Sequence, residues 1–100
     1  MNTLSSLLNF IGNRFKRIQG GETTIGAVAT KTYVDKPITF PNTYTETPKV
    51  VVCLNSASTG AGMGNVTVSA INVTTTGFTI RVFNNDTADR SPAVRWIAIP

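Results

Sequence analysis

The densest polar stretch of the chain is Asn84-Asn85-Asp86-Thr87-Ala88-Asp89-Arg90. It brings together carboxylates, primary amides, a hydroxyl and a guanidinium. Such groups can accept from and donate to vicinal hydroxyls, with the arginine available for bidentate contacts. That is the polar half of a sugar site. The other half is an aromatic face for the C–H side of the ring. No aromatic lies in the loop, so Tyr33 or Tyr44 would have to supply one across a subunit interface. Taken one at a time, these residues also read as a solvated turn with Asx caps, which is their commoner use. The oxygens of Asp86 and Asp89 lack the spacing of a dedicated calcium loop, so no metal is expected.

The rest of the inventory argues against catalysis. The chain has no histidine and one cysteine. Cys53, inside Val51-Val52-Cys53-Leu54, reads as a small buried hydrophobe, and a nucleophile there would lack its usual base. Gly60-Ala61-Gly62-Met63-Gly64 has neither the following helix nor the lysine of a phosphate-cradling loop, and reads as a flexible connection. Trp96, the single tryptophan, alternates with Val94 and Ala98 and reads as a core or subunit-interface residue. Arg81 and Arg95 read as strand residues that either meet Asp86, Asp89 or Glu46 of a neighbouring chain or stand as solvated charges of little weight. No enzyme and no cofactor is expected.

The net charge is +4, of which residues 1–36 carry +3 through Arg14, Lys16, Arg17, Lys31 and Lys36 against Glu22 and Asp35. A nucleic-acid reader would place its basic groups on the folded domain, so nucleic acid is not the expected partner. No apolar run reaches the length of a transmembrane span. A membrane-surface role for the N-terminal segment is thin, given its Asn9 and Asn13.

Three elements must position the polar loop. Leu4, Leu8, Ile11, Phe15 and Ile18 repeat every 3.5 residues, the seam of a short coiled coil, and Gly20-Gly21 ends it. The pattern predicts an N-terminal amphipathic helix over 1–19. Leu at a with Ile at d favours more than two strands. Such a short helix is marginal alone, so it either self-associates or folds back on its own chain. Residues 20–32, rich in Gly, Thr and Ala, read as a linker or an extended arm. Residues 33–100 read as a β-domain of around six short antiparallel strands, a sandwich. Tyr33-Val34 begins the first, Pro37 to Phe40 alternates, and Val50 to Leu54 reads as a central strand covered on both faces. Asn65 to Val73 and Gly77 to Phe83 flank a hairpin turn in which Gly77 supplies positive φ. Val94 to Ile99 closes the domain. A core this small calls for oligomerisation.

The order Ile38-Thr39-Phe40, Pro48-Lys49-Val50-Val51-Val52, Asn72-Val73-Thr74-Thr75-Thr76-Gly77-Phe78 and Arg95-Trp96-Ile97-Ala98-Ile99 resembles the H-type lectin domain over residues 34–99. The resemblance implies a six-stranded antiparallel sandwich that assembles as a trimer and recognises sugar between strand-end loops. It also implies a setting at the tip of a bacteriophage tail or fibre protein. Three positions depart from the sugar-binding pattern. Asn65 stands for an arginine, Asn84 and Asn85 for an aromatic and a histidine, and Arg90 lies nearest to a tyrosine.

The expected protein is therefore a homotrimeric phage structural or attachment component on the virion surface: a fibre, tail-tip or capsid-decorating protein. Host surface glycan would meet Asn65, Asn84, Asn85, Asp86, Asp89 and Arg90. The helix would dock to other virion proteins or align the chains through Leu4, Leu8, Ile11, Phe15 and Ile18, with Trp96 at the subunit interface. The alternatives are a purely structural virion component that binds protein and no sugar, and a carbohydrate-binding accessory module.

Overall fold

The computed structural model describes residues 17–55 and 60–100. The predicted helix falls outside them, with Leu4, Leu8, Ile11 and Phe15 of its seam; only Ile18 of that seam is described. The described chain forms six strands: β1 Gln19–Thr24, β2 Thr32–Thr39, β3 Lys49–Leu54, β4 Val66–Ile71, β5 Gly77–Asn84 and β6 Ala93–Ile99. They make two three-stranded antiparallel sheets, ordered β1-β6-β3 and β2-β5-β4.

The core follows from alternation along the two central strands. In β5, Phe78, Ile80 and Val82 point inward, and in β6 Val94, Trp96 and Ala98 do so. Successive side chains of a strand point to opposite faces, so one buried set fixes an outward set. Arg95, Ile97 and Ile99 of β6 consequently face out. At one end of the core, Phe40 packs edge-on against Tyr44 with ring centroids 5.1 Å apart and lies 5.6 Å from Phe78. Trp96 completes the cluster, 5.3 Å from Phe78 and 5.8 Å from Phe40. Trp96 thus takes the core role that its alternation allowed, buried inside its own protomer. Tyr44 is likewise buried, its hydroxyl donating to the carbonyls of Arg17 and Ala98. It cannot serve a neighbouring chain's sugar site.

Three expectations are corrected. Residues 20–32 are not a free linker. Gln19–Thr24 pairs with β6 along its whole length, from Gln19 opposite Ala98 to Thr24 opposite Ala93. Further on, Val28 exchanges both backbone hydrogen bonds with Arg90, at 2.7 and 3.1 Å. β1 contains no apolar residue, so no periodicity betrays it. Gly21 is needed because the Trp96 ring lies beneath it: a Cβ there would stand 2.9 Å from the indole Nε1.

The second correction concerns β3, which is an edge strand with one face outward. Val51 is 58% exposed and Cys53 is exposed too, so neither is core. A strand is buried on both faces only when a layer packs on each, and here the alternation of β3 turns Val50, Val52 and Leu54 towards the core and leaves Val51 and Cys53 outside. The third concerns Gly77. The left-handed residue near this turn is Asn72, with φ 53°. Gly77 is needed for close approach, because its Cβ would meet the Ile38 carbonyl oxygen at 2.2 Å. Thr74 closes the turn: its amide donates to the Gly77 carbonyl at 2.9 Å, and its hydroxyl accepts from the Thr76 and Gly77 amides at 3.3 Å.

Candidate functional site

The end of the sandwich opposite the aromatic cluster is built from three loops: residues 25–31, the 3-10 turn Ala61–Asn65, and residues 85–92. All six sequence-predicted ligand residues converge there. They divide into those that hold the loops and those that face solvent.

Asn84 holds. Its side chain is fully buried, continuing the inward row of β5 beyond Val82. Its amide donates to the carbonyls of Val28 and Ala88, both at 2.9 Å, and its Oδ1 accepts from the Asp86 amide at 2.9 Å. Two of the three loops, residues 25–31 and 85–92, are tied by this one side chain, and a buried amide needs such partners.

Asp86 also holds. Oδ1 accepts from the Thr87 amide at 2.8 Å and from the Asn65 amide group at 3.4 Å. Oδ2 accepts from Arg90 Nε at 2.6 Å, with the guanidinium Nη2 at 2.5 Å. The Thr87 amide, then the Arg90 guanidinium, keep this carboxyl below its ordinary pKa, against the opposing pull of burial. A carboxylate that accepts several hydrogen bonds is stabilised in its charged form.

Arg90, tied to Asp86 and 30% exposed, lies over the glycine loop. A Cβ on Gly62 would fall 1.9 Å from its Nη2. Gly62 is therefore small to admit a guanidinium, which composition alone reads only as flexibility. Asn85 and Asp89 are exposed. Asp89 accepts from the Thr30 amide at 3.1 Å.

Sequence reasoning missed Thr30 and Lys31, which lie in the stretch read as linker. The Thr30 hydroxyl donates to the Asp86 carbonyl. Lys31 donates its ammonium to the Asn85 carbonyl and to Asn85 Oδ1, at 2.8 and 3.1 Å. Its backbone is left-handed, with φ 60°, a conformation that costs a non-glycine residue roughly 1–2 kcal/mol. The one sequence signal for this contact was Val28, an isolated apolar residue that proves fully buried.

Tyr33, the second residue of β2, sits opposite Phe83 on the outward face, next to this end. Its ring is exposed, with Arg81 4.5 Å from the centroid. Arg81 is held by two parallel bonds to Asp35, at 2.8 and 2.9 Å. That hydrogen bonding keeps Asp35 below its ordinary pKa. Arg95 pairs with Glu22 across β1 and β6. The partners of both arginines are thus in the same chain, not in a neighbouring one as the sequence suggested.

A two-layer antiparallel sandwich that gathers its polar side chains in the loops of one end has the build of a lectin-type module. The H-type lectin domain matches residues 35–99, and the chain belongs to that family. No curated protein matches the sequence. Among solved structures, the N-truncated R1-type pyocin tail fibre is similar over 100% of this chain and 98% of its own length, with 19% identity and a TM-score of 0.71. The C-terminal part of the P. aeruginosa R1 pyocin fibre, residues 323–701, is similar over 83% of this chain, with 21% identity and a TM-score of 0.68. The match spans only 22% of that structure. The tailspike protein gp49 of Pseudomonas phage LKA1 is similar over 81% of this chain and 14% of its own, with 23% identity and a TM-score of 0.67. At these identities the likeness is one of fold.

Proposed function

We propose that this chain is a trimeric attachment component of a bacteriophage particle, with its lectin domain binding host surface carbohydrate at the polar end of the sandwich. The observation that carries this reading is the convergence of Asn65, Asn84, Asn85, Asp86, Asp89 and Arg90 on one end, joined by Lys31. Asn84, Asp86 and Asn65 form the frame. Asn85, Asp89, Arg90 and Lys31 form the rim that a sugar's hydroxyls meet. The aromatic side of the site falls to Tyr33, since Tyr44 is buried. Three copies let weak single sites hold a surface together. Residues 1–19 align the chains or dock them to other virion proteins.

The test is a glycan array, supported by binding to host cells, comparing the intact chain with Asp89→Ala and Arg90→Ala. Binding that is lost in these variants while the fold persists supports the site. A blank array from a well-folded trimer would favour the second reading, a structural virion component that binds protein and no sugar. One observation favours that reading: Asn84 and Asp86 already have their hydrogen bonds satisfied within the chain.

A further inference from the structure

The rim of the polar end runs on into the outward face of β2-β5-β4. Lys31 meets Asn85 at the rim. The next row across the three strands is Tyr33, Phe83 and Thr67. Below it stand Asp35, Arg81 and Ser69, then Pro37, Thr79 and Ile71. In β5 these outward residues alternate with the buried Phe78, Ile80 and Val82, so all three rows point away from the core. From Lys31 to Pro37 the ladder extends about 20 Å, at about 3.4 Å per residue.

Two aromatic residues, Tyr33 and Phe83, thus stand opposite one another on the solvent side, outside the core. The Arg81 guanidinium lies over the Tyr33 ring, 4.5 Å from its centroid, yet Tyr33 stays 55% exposed. Arg81 is in turn gripped by both oxygens of Asp35. The ring is therefore propped from one side, and a group held in place beforehand loses little freedom on binding. The chemistry of the face says what would lie on it. The only charges in the three rows, Asp35 and Arg81, are paired with each other, so an ionic ligand finds nothing to neutralise. A protein partner would set a dry, apolar centre over the middle of the face. The ion pair stands there, and taking paired charges out of water is expensive. A carbohydrate leaves such a pair hydrated and reaches it through hydroxyls, while its C–H side covers a ring. Aromatic and polar rows follow one another down the face, as C–H patches and hydroxyls do along a sugar chain. A sheet face has no walls. A lone sugar is held best in a concave pocket, so a site of this shape gains its hold by touching several sugars at once.

We propose that the outward face of β2-β5-β4 binds an extended, uncharged polysaccharide chain, which runs from the Lys31–Asn85 rim past Tyr33 and Phe83 to Arg81, Ser69 and Thr79. The proposal rests on the carbohydrate reading above and deepens it. The ligand is an internal stretch of several sugars, and the loop end holds only the first of them.

The test sets the full chain on an array of neutral glucan, mannan and galactan oligosaccharides, from single sugars to octasaccharides. Affinity should climb with length, by about tenfold or more between the extremes. Ser69→Glu and Arg81→Gln, below the rim, should erase that gain, with the far-ultraviolet circular dichroism unchanged. Asp89→Ala, at the rim, should lower short and long ligands alike. A second readout needs no variant. Tetranitromethane should nitrate the exposed Tyr33 and spare the buried Tyr44, and the octasaccharide that binds best should shield Tyr33. Equal binding at every length, a gain that survives both folded face variants, or undiminished nitration under bound octasaccharide overturns the proposal and leaves the carbohydrate reading standing. Attachment to host cells that outlasts enzymatic removal of their polysaccharide, but is lost in Ser69→Glu, would place a protein on this face and overturn the proposal too. Silence of the folded, intact chain at every length would instead overturn the carbohydrate reading beneath it.

Discussion

The two ends of the sandwich are closed by opposite chemistries. At one end Phe40 packs against Tyr44, Phe78 and Trp96, and Phe78 against Trp96, with ring centroids 5.1 to 5.8 Å apart. At the other, Asn84, Asp86 and Arg90 knit three loops with directional hydrogen bonds. The aromatic end contributes area and dispersion, which are insensitive to pH and tolerant of small shifts. The polar end contributes geometry: each bond fixes a backbone carbonyl or amide, and so shapes the rim.

The largest expected effect belongs to the aromatic end. Trp96→Ala removes the ring that touches both Phe40 and Phe78 and lies under Gly21. Aromatic truncations in cores cost about 3–5 kcal/mol, a large share of the stability of a domain this small. Denaturant unfolding followed by circular dichroism would measure it. If the loss were no larger than that of the polar-end variants, the division of labour would be wrong.

Asn84→Ala should come next. It strips the Ala88 carbonyl and the Asp86 amide of the Asn84 side chain and leaves the Val28 carbonyl with the Arg90 amide alone. Leaving buried groups unpaired costs about 1–3 kcal/mol. The same variant should raise hydrogen exchange in residues 25–31 and 85–92 while sparing the aromatic end. Uniform loosening of both ends would show that the ends are not separable.

A pH dependence sharpens the contrast. The Asp86 pKa is lowered in the folded state, so its contribution is fully present above the unfolded value of about 3.9. It is lost as the pH falls through the folded value. The stability gap between the natural chain and Asp86→Asn should therefore close on acidification. Asp35, lowered by Arg81, leaves a residual acid response in the variant. A gap that stayed constant down to acid pH would remove Asp86 from the frame.

The smallest effect on stability is expected from Gly62→Ala. The three atoms nearest the added Cβ all belong to the Arg90 guanidinium, which must shift and weaken its bonds to Asp86. Melting should fall modestly, less than for Asn84→Ala, while glycan binding should fall if Arg90 belongs to the rim. A large loss of stability would show instead that Arg90 is chiefly a structural tie.

The strands with apolar alternation were legible in the sequence. β5 and β6 read directly from Phe78, Ile80, Val82 and from Val94, Trp96, Ala98, because period-2 burial leaves that trace. β1 was not legible: Gln19–Thr24 buries backbone and no apolar side chain, and its glycines look like a linker until the Trp96 ring is seen beneath Gly21. The candidate site was half legible. The polar run Asn84 to Arg90 stood out by composition, but Thr30 and Lys31 entered only through long-range contact across the sheet ends.

By itself the sequence determined the class of fold, the antiparallel alternation and the concentration of polar groups in one late loop. Composition and local period carry that information. Only the tertiary structure decided which side of each strand is interior, which polar residues are bound up in the frame, and that β3 lies at an edge with Val51 and Cys53 facing out. Those outcomes depend on which strands become neighbours, and neighbourhood is set by pairing between segments far apart in the chain.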